Sequence, residues 1–147
     1  MHRRVNPYLV ALMVALATIT SFGQTAQPPA YPQIIVRVNL TGQTNEIPTT
    51  QMFTPDKDGL FRICGAMVIT AASNQPGSWL MSFTFVSDGG SETESIFGQN
   101  SQVVGGGGGD CIPFRSNARI PVTYFVQSNG NPQGSVYELF FVVERLE

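Results

Sequence analysis

Five carboxylates in two short stretches are the first residues that could do chemistry. Asp56 and Asp58 sit in "PDKDG", and Asp88, Glu92 and Glu94 sit in "SDGGSETE". Clustered oxygens of this kind suit Ca2+ in an extracellular β-domain, although the full twelve-residue calcium loop is absent and "PDKDG" is equally good turn chemistry. Paired carboxylates also serve glycoside hydrolysis, one as acid and the other as nucleophile or base. Nothing in the spacing brings two of these acids face to face, and solvated surface acids are the plainer reading. The five are therefore metal candidates, with calcium the ion they would take. No other cofactor is implied, and no residue is identified as catalytic.

The stretch "VVGGGGGDC", residues 103–111, places five glycines before an acid and one of the chain's 2 cysteines. A phosphate loop ends in Lys-Ser/Thr and opens a helix, so that backbone N–H groups face the anion. Here "DCIPF" follows, which reads as strand. A dinucleotide fingerprint fails for the same reason. Strand patterns on both flanks also argue against an interdomain linker. The expectation is a mobile loop pinned at its far end by Cys111.

Cys64 and Cys111 form one disulfide if the chain is exported, worth on the order of 4 kcal/mol for so long a loop. Two buried thiols are the alternative. A cysteine nucleophile would need a base, and the 1 histidine is His2, at the extreme N-terminus.

Export is read from the first residues. His2, Arg3 and Arg4 precede an apolar run, Tyr8 to Ile19, and small residues follow at Ser21 and Gly23. That pattern is a signal peptide over 1–23 with a mature start at Gln24; a retained anchor is the alternative. No cysteine near the cleavage point could carry a lipid. The mature protein would be secreted, periplasmic or held at the cell surface, with no stable membrane insertion. Cleavage removes His2, Arg3 and Arg4, so six of the 8 basic residues face all 10 acids, a net charge of −4. That balance argues against nucleic-acid partners, and the loss of histidine removes the commonest general base and metal ligand.

The elements that must position these residues follow a period of two. Residues 24–33, "QTAQPPAYPQ", are expected to be a flexible proline-rich arm, and 34–147 one domain. "QIIVRVNL", "TTQMFT", "LFRICGAMVIT", "SWLMSFTFV", "ETESIF", "CIPF", "RIPVTYFV" and "VYELFFVVERL" read as strands between turn clusters. Gly65 is expected to mark a bend or bulge, and Pro113 and Pro121 strand starts or edges. No sustained helical period occurs in the mature chain. The fold class is all-β, a single antiparallel sandwich.

Trp79, Tyr124, Phe125, Tyr137, Phe140 and Phe141 could form a sugar-stacking strip, but their alternation within strands assigns most of them to the core. The C-terminal strand is apolar on both faces: Val136, Phe140 and Val142 on one, and Tyr137, Leu139, Phe141 and Val143 on the other. The second set is the expected self-association interface, unless a central position in the sheet explains the pattern. "NLT" at Asn39–Thr41 matches the N-glycosylation triplet.

"MFTPDKDGLFRICGAMVIT" resembles a strand signature of the tumour-necrosis-factor-like and complement globular-head jelly rolls. Pro55, Gly59 and Phe61 match, with Phe61 where that family prefers tyrosine. The chain is also similar to secreted bacterial proteins with "G-L-[YF]-R" and "Y-x-L-x-x-x-V-E-x-L", here Gly59–Arg62 and Tyr137–Leu146. The resemblance implies a jelly roll and trimer formation, and it transfers no catalytic residue. The functional expectation is an exported, non-enzymatic sandwich that binds or assembles with macromolecules, its partner a protein, a glycan or its own copies. A carbohydrate-binding module is one alternative, marked by a solvent-facing aromatic pair. A two-carboxylate hydrolase is the other, marked by a buried acid pair in a cleft.

Overall fold

The computed structural model describes residues 31–107 and 109–147. The signal peptide expected over 1–23, and most of the arm over 24–33, lie outside them. Nine strands follow in order: β1 (Gln33–Gln43), β2 (Ile47–Phe53), β3 (Gly59–Ala71), β4 (Gly77–Ser87), β5 (Gly90–Asn100), β6 (Gly105–Gly106), β7 (Asp110–Ser116), β8 (Val122–Gly130) and β9 (Val136–Arg145). Gln33, assigned to the arm from sequence, already opens β1.

One sheet runs β1-β9-β3, with β6 and β7 both on the far side of β3; the other runs β2-β8-β4-β5. All pairings are antiparallel. Apart from the short β6, eight strands pass between the two sheets, and only β4 and β5 are joined as a hairpin within one. This is the strand order of a jelly roll. We call the sheets the β9 sheet and the β4 sheet.

The period-two pattern builds the core directly. Trp79, Met81, Phe83 and Phe85 point inward from β4, and Phe61, Ile63, Met67 and Ile69 from β3. Phe114 of β7 lies 5.6 Å from Phe61, 5.0 Å from Phe83 and 5.1 Å from Phe85, ring centre to ring centre, so it ties the two sheets together. At the other end Trp79 packs 4.8 Å from Tyr137, and its Nε1 donates to Ser135 Oγ at 2.8 Å. Buried aromatics of this size dominate the burial energy, with their polar atoms satisfied.

Three expectations change. Gly65 is not a bulge: the β3 register runs unbroken through Gly65↔Phe141 and Gly65↔Asp110. Glycine is required there because a Cβ would stand 2.0 Å from the Phe140 carbonyl oxygen. The glycine run is not simply a loop either. Gly105 and Gly106 pair with Ile69 and Val68, and a Cβ on Gly107 would meet Gln99 Nε2 at 1.8 Å. Gly106, Gly107 and Gly109 lie close against Val68, Gln99 and the Gly65 carbonyl, and Gly105 has a positive φ of 130°, so each of these four positions favours glycine. Third, the face of β9 expected at a subunit interface turns inward: β9 is a central strand between β1 and β3, with Tyr137, Leu139, Phe141 and Val143 in the core and Phe140 and Val142 on the half-buried outer face.

Candidate functional site

The structure divides the five acids. Asp56 belongs to a structural anchor: Arg145, 5% exposed, donates from Nη1 to Asp56 Oδ1 at 2.7 Å and from Nη2 to the Asp58 carbonyl at 3.0 Å. The Arg145 hydrogen bond holds the Asp56 carboxyl below its usual range. Gly59 leaves space for the guanidinium, since a Cβ there would lie 2.9 Å from Arg145 Nη2. The guanidinium also sits 5.3 Å from the Phe61 ring centre.

The other four, Asp58, Asp88, Glu92 and Glu94, line a single cleft of about 410 Å³ between the edges of β5 and β7. All four are exposed, so they do not form the buried pair expected of a two-carboxylate hydrolase. Asp58 Oδ1 accepts from the Ala118 N–H at 2.6 Å, and Glu92 accepts from Ser87 Oγ. Among the described residues, no three His, Cys, Asp or Glu side chains stand together as a metal-binding group.

Cys64 and Cys111 are directly opposed across β3 and β7, their Cα atoms 4.2 Å apart, and form the expected disulfide. Its closeness follows from register, because facing residues of a non-hydrogen-bonded antiparallel pair bring their Cα atoms to about 4.5 Å. The bridge lies on the outer side of the β9 sheet, level with Val142 of β9.

The proposed interface set moves inside. Tyr137, Leu139, Phe141 and Val143 are 0%, 0%, 4% and 0% exposed, and Phe141 packs 5.2 Å from Tyr124. They are core of the monomer and cannot meet a partner. The outward face of β9 carries Glu138, Phe140, Val142 and Glu144, all half-buried.

The aromatic strip likewise splits. Trp79, Tyr124, Tyr137 and Phe141 are core, while Phe125 and Phe140 are half-buried on the outer faces of opposite sheets, so these six do not form the solvent-facing aromatic pair expected of a carbohydrate-binding module. Phe125 borders a feature that sequence reasoning missed: two troughs of about 600 and 450 Å³ on the outer side of the β4 sheet, meeting at Gln127. Together they cross β2, β8, β4 and β5, roughly 14 Å at ~4.8 Å per strand spacing. Phe125 and Leu80 form the apolar floor. Gln127, Asn129 and Asn100 add exposed carboxamides, and Gly98, opposite Leu80, leaves the floor uncovered. Glu46 is the one ionisable residue lining the troughs. It accepts from Ser128 N at 2.9 Å and Ser128 Oγ at 2.7 Å, which holds its carboxyl low. No single segment contains this groove, so only strand register could have revealed it.

Comparison with protein-family models and with curated proteins returns no match. Among solved structures, the chain is similar to a Clostridium thermocellum endo-1,4-beta-D-xylanase, in its CBM22-1–GH10 modules complexed with xylohexaose. Identity is 11%, the TM-score is 0.35, and the match covers 67% of this chain and 19% of that one.

Proposed function

We propose that this protein is an exported binding module whose ligand is a neutral polysaccharide lying across the β4 sheet. One observation carries the reading: the groove over β2, β8, β4 and β5 combines an apolar floor, Phe125 and Leu80, with the carboxamides of Gln127, Asn129 and Asn100. A carboxamide offers donors and an acceptor together, which matches sugar hydroxyls, and an apolar floor matches the C–H faces of a sugar ring. The disulfide supports an oxidising compartment.

The test is affinity electrophoresis of the mature protein through gels containing xylan, mannan or a soluble β-glucan. Retardation by at least one of them is expected, reduced in Phe125→Ala and Gln127→Ala and kept in Phe140→Ala, with melting curves of all three close to wild type. Free migration through every gel would defeat the proposal.

Self-association is a second reading, now assigned to different residues. Phe140 and Val142 sit beside Ala66 and Cys64 on the outer side of the β9 sheet, an apolar stretch bordered by the Arg62–Glu144 ion pair.

A further inference from the structure

A sheet edge offers unpaired N–H and C=O groups to any further strand, and all the edges of this sandwich but one carry a device that refuses it. On β5, Glu92 faces Phe85 and Glu94 faces Phe83, which puts charge in the inward phase. Edge strand β2 carries Pro48, β7 carries Pro113, and β6 is two glycines. The exception is β1. Its 11 residues, "QIIVRVNLTGQ", include no proline, and Arg37 is their single charge. The inward residues Val36, Val38 and Leu40 are only half-buried, and Ile34 and Ile35 are 45% and 36% exposed. Among the described residues no strand lies beyond it.

The backbone phase of this edge follows by counting across the sheet. Pro113 has no N–H to give, and Cys111 gives its own to Asp110 Oδ1 at 2.7 Å. Arg62↔Pro113 and Cys64↔Cys111 are therefore non-hydrogen-bonded pairs. The two kinds of pair alternate along a ladder, and each residue turns its N–H and C=O to one neighbour. Arg62 and Cys64 then bond Glu144 and Val142 of β9, which leaves Val143 and Phe141 to bond Val36 and Val38 of β1. Arg37 and Asn39 keep their N–H and C=O turned to the open side.

We propose that the open side of β1 pairs with β1 of a second copy of this chain, antiparallel about a two-fold axis at Val38. The stretch is complementary to itself. Register shifts bound its regular part at Val36 and Leu40, and Val38 is the middle. About that axis Val36 faces Leu40, so apolar residues meet on the inner side, and Arg37 faces Asn39, so like charges do not meet. These Arg37–Asn39 pairs are also the ones whose backbones face outward, so each exchanges both of its N–H···O bonds. The chain's own N-terminal arm suits the edge poorly, because Pro28, Pro29 and Pro32 have no N–H to give. The contact is independent of the polysaccharide groove, which lies on the other sheet.

The experiment is sedimentation velocity of the mature protein at micromolar concentrations, joined to amide hydrogen exchange read by NMR. A dimer is expected, with the Arg37 and Asn39 amides gaining protection as concentration rises and the Val38 amide protected throughout. Asn39→Pro removes an outward N–H and should give a folded monomer. Asn39→Arg puts like charges opposite each other and should weaken the dimer, whereas Asn39→Glu faces Arg37 and should tighten it about fivefold. That pair reads the register even if the proline variant does not fold. Phe140→Lys, on the outer face of the same sheet, should leave an edge dimer intact. A monomer at every concentration, a folded Asn39→Pro that still dimerises, or equal dissociation constants for Asn39→Arg and Asn39→Glu would overturn the proposal. So would a monomer whose Arg37 and Asn39 amides are already protected, which assigns the edge to the chain's own arm.

Discussion

Arg145 shows how one side chain can decide the shape of a loop. Its head is buried and satisfies the carbonyls of Asp58 and Glu147 as well as the Asp56 carboxylate, so the 54–58 turn is built onto the end of β9. Arg145→Ala leaves those carbonyls without their donor, and we predict a loss of about 3 kcal/mol, measured by urea unfolding. Asp56→Asn should cost clearly less, because that carboxylate is exposed. Tyr137 gives a pH prediction. Burial, reinforced by Tyr124 and Glu46, raises its phenol above the usual value of 10. A group whose folded pKa is raised contributes stability that is fully present below its unfolded pKa and is lost as pH rises toward the folded one. Stability should therefore fall above about pH 10. Tyr137→Phe removes the 2.8 Å bond to the Asn45 carbonyl, costing about 1 kcal/mol at neutral pH, and should flatten the alkaline decline. An equally steep decline in the variant would show that Tyr137 is not its source.

Among the elements, β3 and β9 set the tolerances. They pair over ten registered positions, and Gly65 lets their backbones and the Phe141 side chain approach closely. We predict that Gly65→Ala costs more than about 2 kcal/mol, because backbone rather than a flexible side-chain end opposes the new methyl. Ala66→Gly on the opposite face should cost about 1 kcal/mol or less, and denaturant midpoints for the pair check both. The glycine run follows the same logic: Gly106 and Gly107 meet Val68 and Gln99, so its composition serves close packing at the β3 edge. The disulfide then fixes β7 to β3 just beyond the run.

At the scale of the whole molecule, the two faces of β9 have different fates. Phe141→Lys places a charge in the core and should abolish the cooperative melting transition, since an unpaired buried charge costs several kcal/mol against a total of ~5–15. Phe140→Lys lies on the outer surface and should leave a folded protein. If the β9 sheet joins copies of this chain, light scattering should show an oligomer for wild type and a monomer for Phe140→Lys. A wild type that is monomeric at micromolar concentration removes the self-association reading and leaves the β4-sheet groove unaffected.

The sequence alone determined where the eight longer strands lie, because side chains alternate across a strand and turn residues bound each run. With 2 cysteines it allowed a single disulfide, and the facing positions of Cys64 and Cys111 decided for the bond over two free thiols. It did not determine which of β9's two apolar faces is core: periodicity names two faces and not which one meets the opposite sheet. Gly65 looked like a bulge because the oxygen that excludes a side chain there belongs to Phe140, 75 residues later in the chain. Only the tertiary structure placed Glu94 and Phe114 around one cleft, and Phe125, Leu80 and Asn100 along one groove. Both join strands distant in sequence, and their geometry is set by register between strands, which local pattern does not encode.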